Sequence, residues 1–157
     1  MAGTYSIIER PSPNFDARET GVSVDMLVMH YTGMLSGEEA LSRLTDVEYQ
    51  VSAHYMIEED GRVFGLVDEA NRAWHAGVSN WRGRSNCNNF SIGIELEGCV
   101  DAIFEEAQYK RLRTLLSALF LRYDRLSLEA VVGHNEIASD RKTDPGKNFE
   151  WLKVFKL

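Results

Sequence analysis

Met26-Leu27-Val28-Met29-His30 places four apolar side chains in a row and then an imidazole. A half-exposed strand alternates, so an unbroken run of this length reads as a strand covered on both faces. Gly33 and Gly37 end the pattern. Working outward, Ser36 is placed to cap a helix reaching about Leu44, with Glu38 and Glu39 in the first turn, where the helix dipole favours negative charge. Residues 51–57 alternate, with Val51, Ala53, Tyr55 and Ile57 on one face and Ser52, His54 and Met56 on the other. Asp60-Gly61 is a hairpin signal, so residues 62–67 are expected to return as the next strand. Ile92, Ile94 and Leu96 alternate with Gly93, Glu95 and Glu97, a strand whose acids point away from its apolar face. Leu112, Leu115, Leu116, Leu119 and Tyr123 recur at helical spacing and predict a long helix over residues 105–123. Val131-Val132 reads as a short strand feeding Gly133-His134, and residues 135–148 as a loop. The opening residues, through about Val22, read as irregular. The expectation is one α/β domain spanning residues 1–157, a mixed β-sheet with flanking helices.

Composition narrows the function. A chain of 157 residues can bury a sizeable core. Its net charge of −7 argues against general nucleic-acid binding, because an acidic surface repels phosphates. No apolar run approaches the ~20 residues of a membrane span, so no membrane insertion is expected. Residues 1–18 contain no continuous apolar segment of the signal-peptide kind. A cytoplasmic location is expected, with the periplasm as the alternative if an export signal precedes these residues. Cys87 and Cys99 lack the spacing of a paired metal motif and are expected as reduced thiols. A monomer is expected.

Three candidate metal ligands fall where strands are expected to stop. His30 closes the first buried run, His134 follows Val131-Val132, and Asp144 precedes Pro145. Two imidazoles and a carboxylate make a zinc site with one position open to water. From spacing alone the alternatives stand: hydrogen-bonded structural histidines, a turn aspartate, Glu95 as a solvated strand residue with Glu97 on the same face, and Lys142 as a surface lysine.

Six blocks occur in order: Val28-Met29-His30-Tyr31-Thr32, Val51-Ser52-Ala53-His54-Tyr55, Ala73-Trp74-His75-Ala76-Gly77, Ser91-Ile92-Gly93-Ile94-Glu95-Leu96-Glu97, Gly133-His134, and Arg141-Lys142-Thr143-Asp144-Pro145-Gly146. In these the chain resembles the type-2 N-acetylmuramoyl-L-alanine amidases of the AmpD/AmiD group, from about Met26 to Trp151. The resemblance implies the fold shared with peptidoglycan recognition proteins and T7-type lysozyme. It implies hydrolysis of the amide between a muramyl lactyl group and L-alanine, with a muropeptide or peptidoglycan as partner. It implies Zn2+ on His30, His134 and Asp144, with Glu95 and Lys142 as catalytic residues. Tyr31, His54, Trp74, His75 and Ala76 become substrate-binding candidates, and Trp81 a possible groove wall. A non-catalytic binding module on this fold commonly lacks a ligand; this chain keeps all three matches. Cytoplasmic recycling relatives tend to carry arginine where this chain has Gln50 and Asn86, so activity on both anhydro and ordinary muropeptides is expected.

Overall fold

The apolar runs assemble into a sheet covered on both sides. A computed structural model describes residues 6–156. Its elements are β1 (Ile7–Glu9), β2 (Phe15–Ala17), β3 (Met26–Tyr31), α1 (Gly37–Leu44), β4 (Tyr55–Ile57), β5 (Val63–Gly65), β6 (Asn71–Ala73), β7 (Asn80–Trp81), β8 (Arg84–Ser85), β9 (Ser91–Leu96), α2 (Glu106–Arg122), β10 (Val131–Gly133), α3 (His134–Ile137) and α4 (Trp151–Val154). Six strands form the main sheet in the order β1-β5-β4-β9-β3-β10. β4 and β5 form the antiparallel hairpin expected at Asp60-Gly61; the other neighbours run parallel. In the parallel register His30 stands beside Glu95, and Glu95 beside Met56.

The two faces of this sheet differ. On one, Leu27, Met29, Tyr55, Ile57, Ile92, Ile94 and Leu96 meet Tyr109, Leu112, Leu115, Leu116 and Leu119 of α2. A fully buried leucine contributes roughly 1.5–3 kcal/mol, so this helix stripe is a main support of the fold. The start of α2 is pinned to the end of β9: Glu105 N–H donates to Gln108 Oε1 at 2.9 Å, and Gln108 Nε2 donates to Glu97 O at 3.0 Å. The other face carries two separate apolar groups. One, around Met26, Val28, Phe90 and Val132, covers β3 and β10; the other, around Leu41, Leu44, Met56 and Phe64, covers β4 and β5. β9 runs between them with Ser91, Gly93 and Glu95 on this face, and His30 is at its side.

Several boundaries differ from expectation. Ser36 does cap α1, accepting from Glu39 N–H at 3.2 Å, and α2 falls within the expected range. Residues 51–57 give a strand only from Tyr55, because the pairing partner changes: Ser52 N–H donates to Trp74 O and His54 N–H to Gly93 O. The return strand is limited to Val63–Gly65. The opening residues are not wholly irregular: β1 joins β5 in parallel, and β2 pairs with β6. These are three-residue strands with few buried side chains, so they leave no periodic pattern in the sequence. His30 lies one residue inside β3 rather than at its end. His134 opens α3 rather than closing β10, and Glu136 Oε2 accepts from Gly133 N–H at 2.6 Å to hold that turn. Both cysteines are free. Among the described residues no helix is long and apolar enough to cross a membrane.

Two stability tests follow from this packing. Leu119 is fully buried; Leu119→Ala is expected to cost about 2–5 kcal/mol in urea unfolding. Glu69 accepts from Tyr55, Arg122 and Tyr123, the last at 2.6 Å. Burial pushes its carboxyl up, but these three donors outweigh burial and hold it below the ordinary range. A carboxylate with a lowered folded pKa stabilises above its unfolded value, about 4.3, and that stability is lost as pH falls through the folded value. Glu69→Gln is expected to lose about 1–3 kcal/mol at neutral pH. Its urea midpoint should also fall less than the parent's between about pH 5 and about pH 3.

Candidate metal centre and active-site cleft

β3, α3 and the loop that follows α3 bring His30, His134 and Asp144 together. Asn135 N–H donates to Asp144 O at 2.9 Å, which ties the loop to the first turn of α3. All three residues are buried, at 2%, 3% and 5% exposure. His30 Nδ1 lies 2.8 Å from Asp144 Oδ2, His134 Nδ1 lies 3.1 Å from the same oxygen, and the two Nδ1 atoms are 3.1 Å apart. Burial lowers the affinity of His30 for a second proton. These three residues form a group able to hold a metal ion.

The outer nitrogens of the histidines face protein groups. His134 Nε2 lies 2.9 Å from Ala76 O, and His30 Nε2 lies 3.0 Å from His75 Nδ1. Arg141 also donates to Ala76 O, at 2.9 Å, and to Val78 O, at 2.8 Å. The Asn88 side chain accepts from both His75 N–H and Ala76 N–H, at 3.1 and 2.8 Å. Residues 75 and 76 are thus clamped behind the cluster.

The cluster opens into a cleft of about 440 Å³, lined by Tyr31, Met34, Arg43, Tyr49, His75, Glu95, Arg141 and Lys142 among others. Tyr31 is fixed in the wall by a 2.6 Å hydrogen bond with Thr143 Oγ1. Glu95 is not a solvated strand residue: it is 8% exposed, and its Oε2 has no hydrogen-bond partner among the described residues. Burial, and then the Asp144 charge, push its carboxyl well above the ordinary range, while Lys142 acts in the opposite direction. Arg43 lies over the Tyr49 ring at 4.6 Å. Arg43 and Tyr49 are cleft residues that sequence reading missed; an exposed arginine six residues before a tyrosine in a short turn carries no signal of its own.

Three expected binding residues do not line the cleft. His54 is fully buried; Gly93 N–H donates to its Nδ1 at 3.1 Å, so its proton is on Nε2, 2.9 Å from Asn71 O. Burial depresses its pKa to about 4 and keeps it neutral. The Trp74 indole is engaged with Asp16 of β2, and Ala76 presents its carbonyl to His134 rather than a side chain to the cleft. Trp81 packs against the apolar group around Met26 and Phe90. A larger hollow of about 930 Å³ lies between the first strands and the end of α2, lined by Arg18, Glu69, Arg122 and Tyr123 among others. Arg18 is committed to the carbonyls of Glu69, Asn88, Asn89 and Ser91, and Glu69 to its three donors. The residues expected to hold metal and to act on the substrate, His30, His134, Asp144, Glu95 and Lys142, line the smaller cleft.

The mixed sheet thus carries the long helix α2 on one face and, on the other, a His-His-Asp cluster beside a buried glutamate. The chain belongs to the N-acetylmuramoyl-L-alanine amidase family, which residues 20–147 match, and it is an amidase. It is 39% identical over 160 residues to the 1,6-anhydro-N-acetylmuramyl-L-alanine amidase AmpD of Citrobacter freundii, covering 91% of this chain and 85% of that protein. A solved selenomethionine derivative of AmpD is similar with a TM-score of 0.87 and 37% identity, over 96% of this chain and 93% of that one. The amidase AmiD from E. coli, solved with anhydro-N-acetylmuramic acid-L-Ala-D-gamma-Glu-L-Lys, gives a TM-score of 0.78 and 38% identity, over 83% and 56%.

The packing behind the cluster is tight at one point. A Cβ on Gly93 would lie 2.4 Å from the His75 ring. Gly93→Ala is therefore expected to lower the unfolding free energy by about 1–3 kcal/mol, measured by urea denaturation.

Proposed function

We propose that the protein is a zinc-dependent amidase that hydrolyses the bond between the lactyl group of N-acetylmuramic acid, anhydro or ordinary, and L-alanine, in cytoplasmic cell-wall recycling. One observation carries the metal. The Ala76 carbonyl can only accept, so the proton of a neutral His134 is on Nε2 and its Nδ1 is a bare lone pair. That lone pair faces an Asp144 carboxylate oxygen at 3.1 Å. Two buried acceptors facing each other need a cation between them. Tetrahedral zinc, with bonds of about 2.0–2.1 Å, keeps its ligand atoms about 3.3 Å apart. The separations of 2.8, 3.1 and 3.1 Å are shorter than that by about 0.2–0.5 Å, so the three atoms converge on one point and would spread slightly around an ion. His30 Nδ1, His134 Nδ1 and Asp144 Oδ2 would hold the ion, which when bound would supply Lewis acidity toward a water and a carbonyl oxygen.

The remaining steps fall to the chain. Glu95 has a high proton affinity and an unpaired oxygen. It takes a proton from the attacking water and hands it to the departing alanine nitrogen. Lys142 faces the same cleft and stabilises the developing oxyanion; one such donor supplies about 3–4 kcal/mol. Arg43, Arg141 and Lys142 line the cleft, and among the described residues none is paired with a carboxylate. Cations without a carboxylate partner in an acidic chain suit a stem peptide that carries carboxylates, with Arg141 held in place by the Ala76 and Val78 carbonyls.

Digestion of a defined muropeptide with and without chelator, read by mass spectrometry, tests the reaction: free stem peptide is expected only with metal present. Asp144→Ala should lose zinc and activity together. Glu95→Ala should keep zinc and lose rate by about 10²–10⁴-fold; near-normal turnover removes Glu95 from the mechanism. In a side-by-side assay both anhydro and ordinary substrates should be cleaved, and an untouched substrate restricts the specificity to the other.

A further inference from the structure

A neutral imidazole carries one proton, and a metal can bind only the nitrogen without it. For His30 the choice is made three groups away. Ser91 Oγ lies 2.6 Å from Cys87 O, which can only accept, so the hydroxyl proton points there. The hydroxyl oxygen is then free to accept from His75 Nε2, 3.0 Å away. His75 protonated on Nε2 leaves its Nδ1 bare, 3.0 Å from His30 Nε2. The His30 proton therefore occupies Nε2, and its Nδ1 faces His134 and Asp144 as a lone pair.

We infer that His75, backed by Ser91, is a positioning residue for the metal: a neutral relay that ends on a backbone carbonyl fixes the ligating form of His30. Such outer partners of metal-bound histidines ordinarily hold them in one tautomer and orientation. Here the relay adds no negative charge, so Asp144 alone carries a formal charge among the proposed ligands. The inference rests on the zinc reading above.

Zinc affinity, by competition with a chromophoric chelator, and the absorption spectrum of the cobalt-loaded protein report the ligand set independently of catalysis. His75→Leu is expected to weaken zinc binding about 10–100-fold and to shift the cobalt bands. In His75→Asn the side-chain oxygen can still take the His30 proton, and affinity should stay within about threefold of the parent. Ser91→Ala should weaken binding about tenfold alone, and no further when added to His75→Leu, because the two act through one path. Circular dichroism in chelator reports folding; if His75→Leu does not fold, Ser91→Ala and His75→Asn decide. Unchanged zinc affinity in Ser91→Ala, or fully additive losses in the double variant, overturns the relay and leaves the zinc reading standing. A parent protein that binds no zinc overturns both.

Discussion

Acceptors buried against one another are held together only by a positive charge placed among them. His30 Nδ1, His134 Nδ1 and Asp144 Oδ2 converge from a strand, a helix start and a loop, with little water near any of them. The rest of the cleft is arranged around this convergence. Glu95 is next to His30 in the strand register; its burial there raises its proton affinity, and the Asp144 charge of the cluster raises it further. Lys142 is two residues before Asp144, so one loop delivers a carboxylate of the cluster and an ammonium to the same space.

The sheet separates support from chemistry. α2 and its leucines occupy one face; the cleft, the cluster and the relay occupy the other. β9 shows the division within one strand. Ile92, Ile94 and Leu96 pack into the core under α2, while Ser91, Gly93 and Glu95 meet His75 at 3.0 Å, leave room for its ring and carry an acid on the opposite side.

The supporting face was legible because burial leaves a period in the sequence. Leu112, Leu115, Leu116 and Leu119 mark α2, and the apolar run of β3 marks a strand covered on both sides. The chemical face was legible only in part. His30, His134, Asp144, Glu95 and Lys142 were singled out by ordered motifs, and the structure gathers them in one cleft. The surroundings of Trp74 and Ala76 differ from expectation, because a sequence does not record which way a carbonyl or an indole points, while His75 does line the cleft. Trp74 and Ala76 look like groove residues in a motif, yet one is engaged with β2 and the other acts through its backbone oxygen. β1 and β2 were missed for a related reason: each is held by edge pairing and not by a buried stripe.

The Arg18 guanidinium donates to the carbonyls of Asn88, Asn89 and Ser91, and Asn88 in turn grips the backbone of His75 and Ala76. The family match begins at residue 20, just past this arginine. The working unit therefore extends upstream of the recognisable motif: a segment on the outside of the molecule, with no part in the chemistry, acts as the keystone of the wall that aims both histidines. A fragment drawn at the motif boundary would keep His30, Glu95, His134, Lys142 and Asp144 and lose the brace behind them.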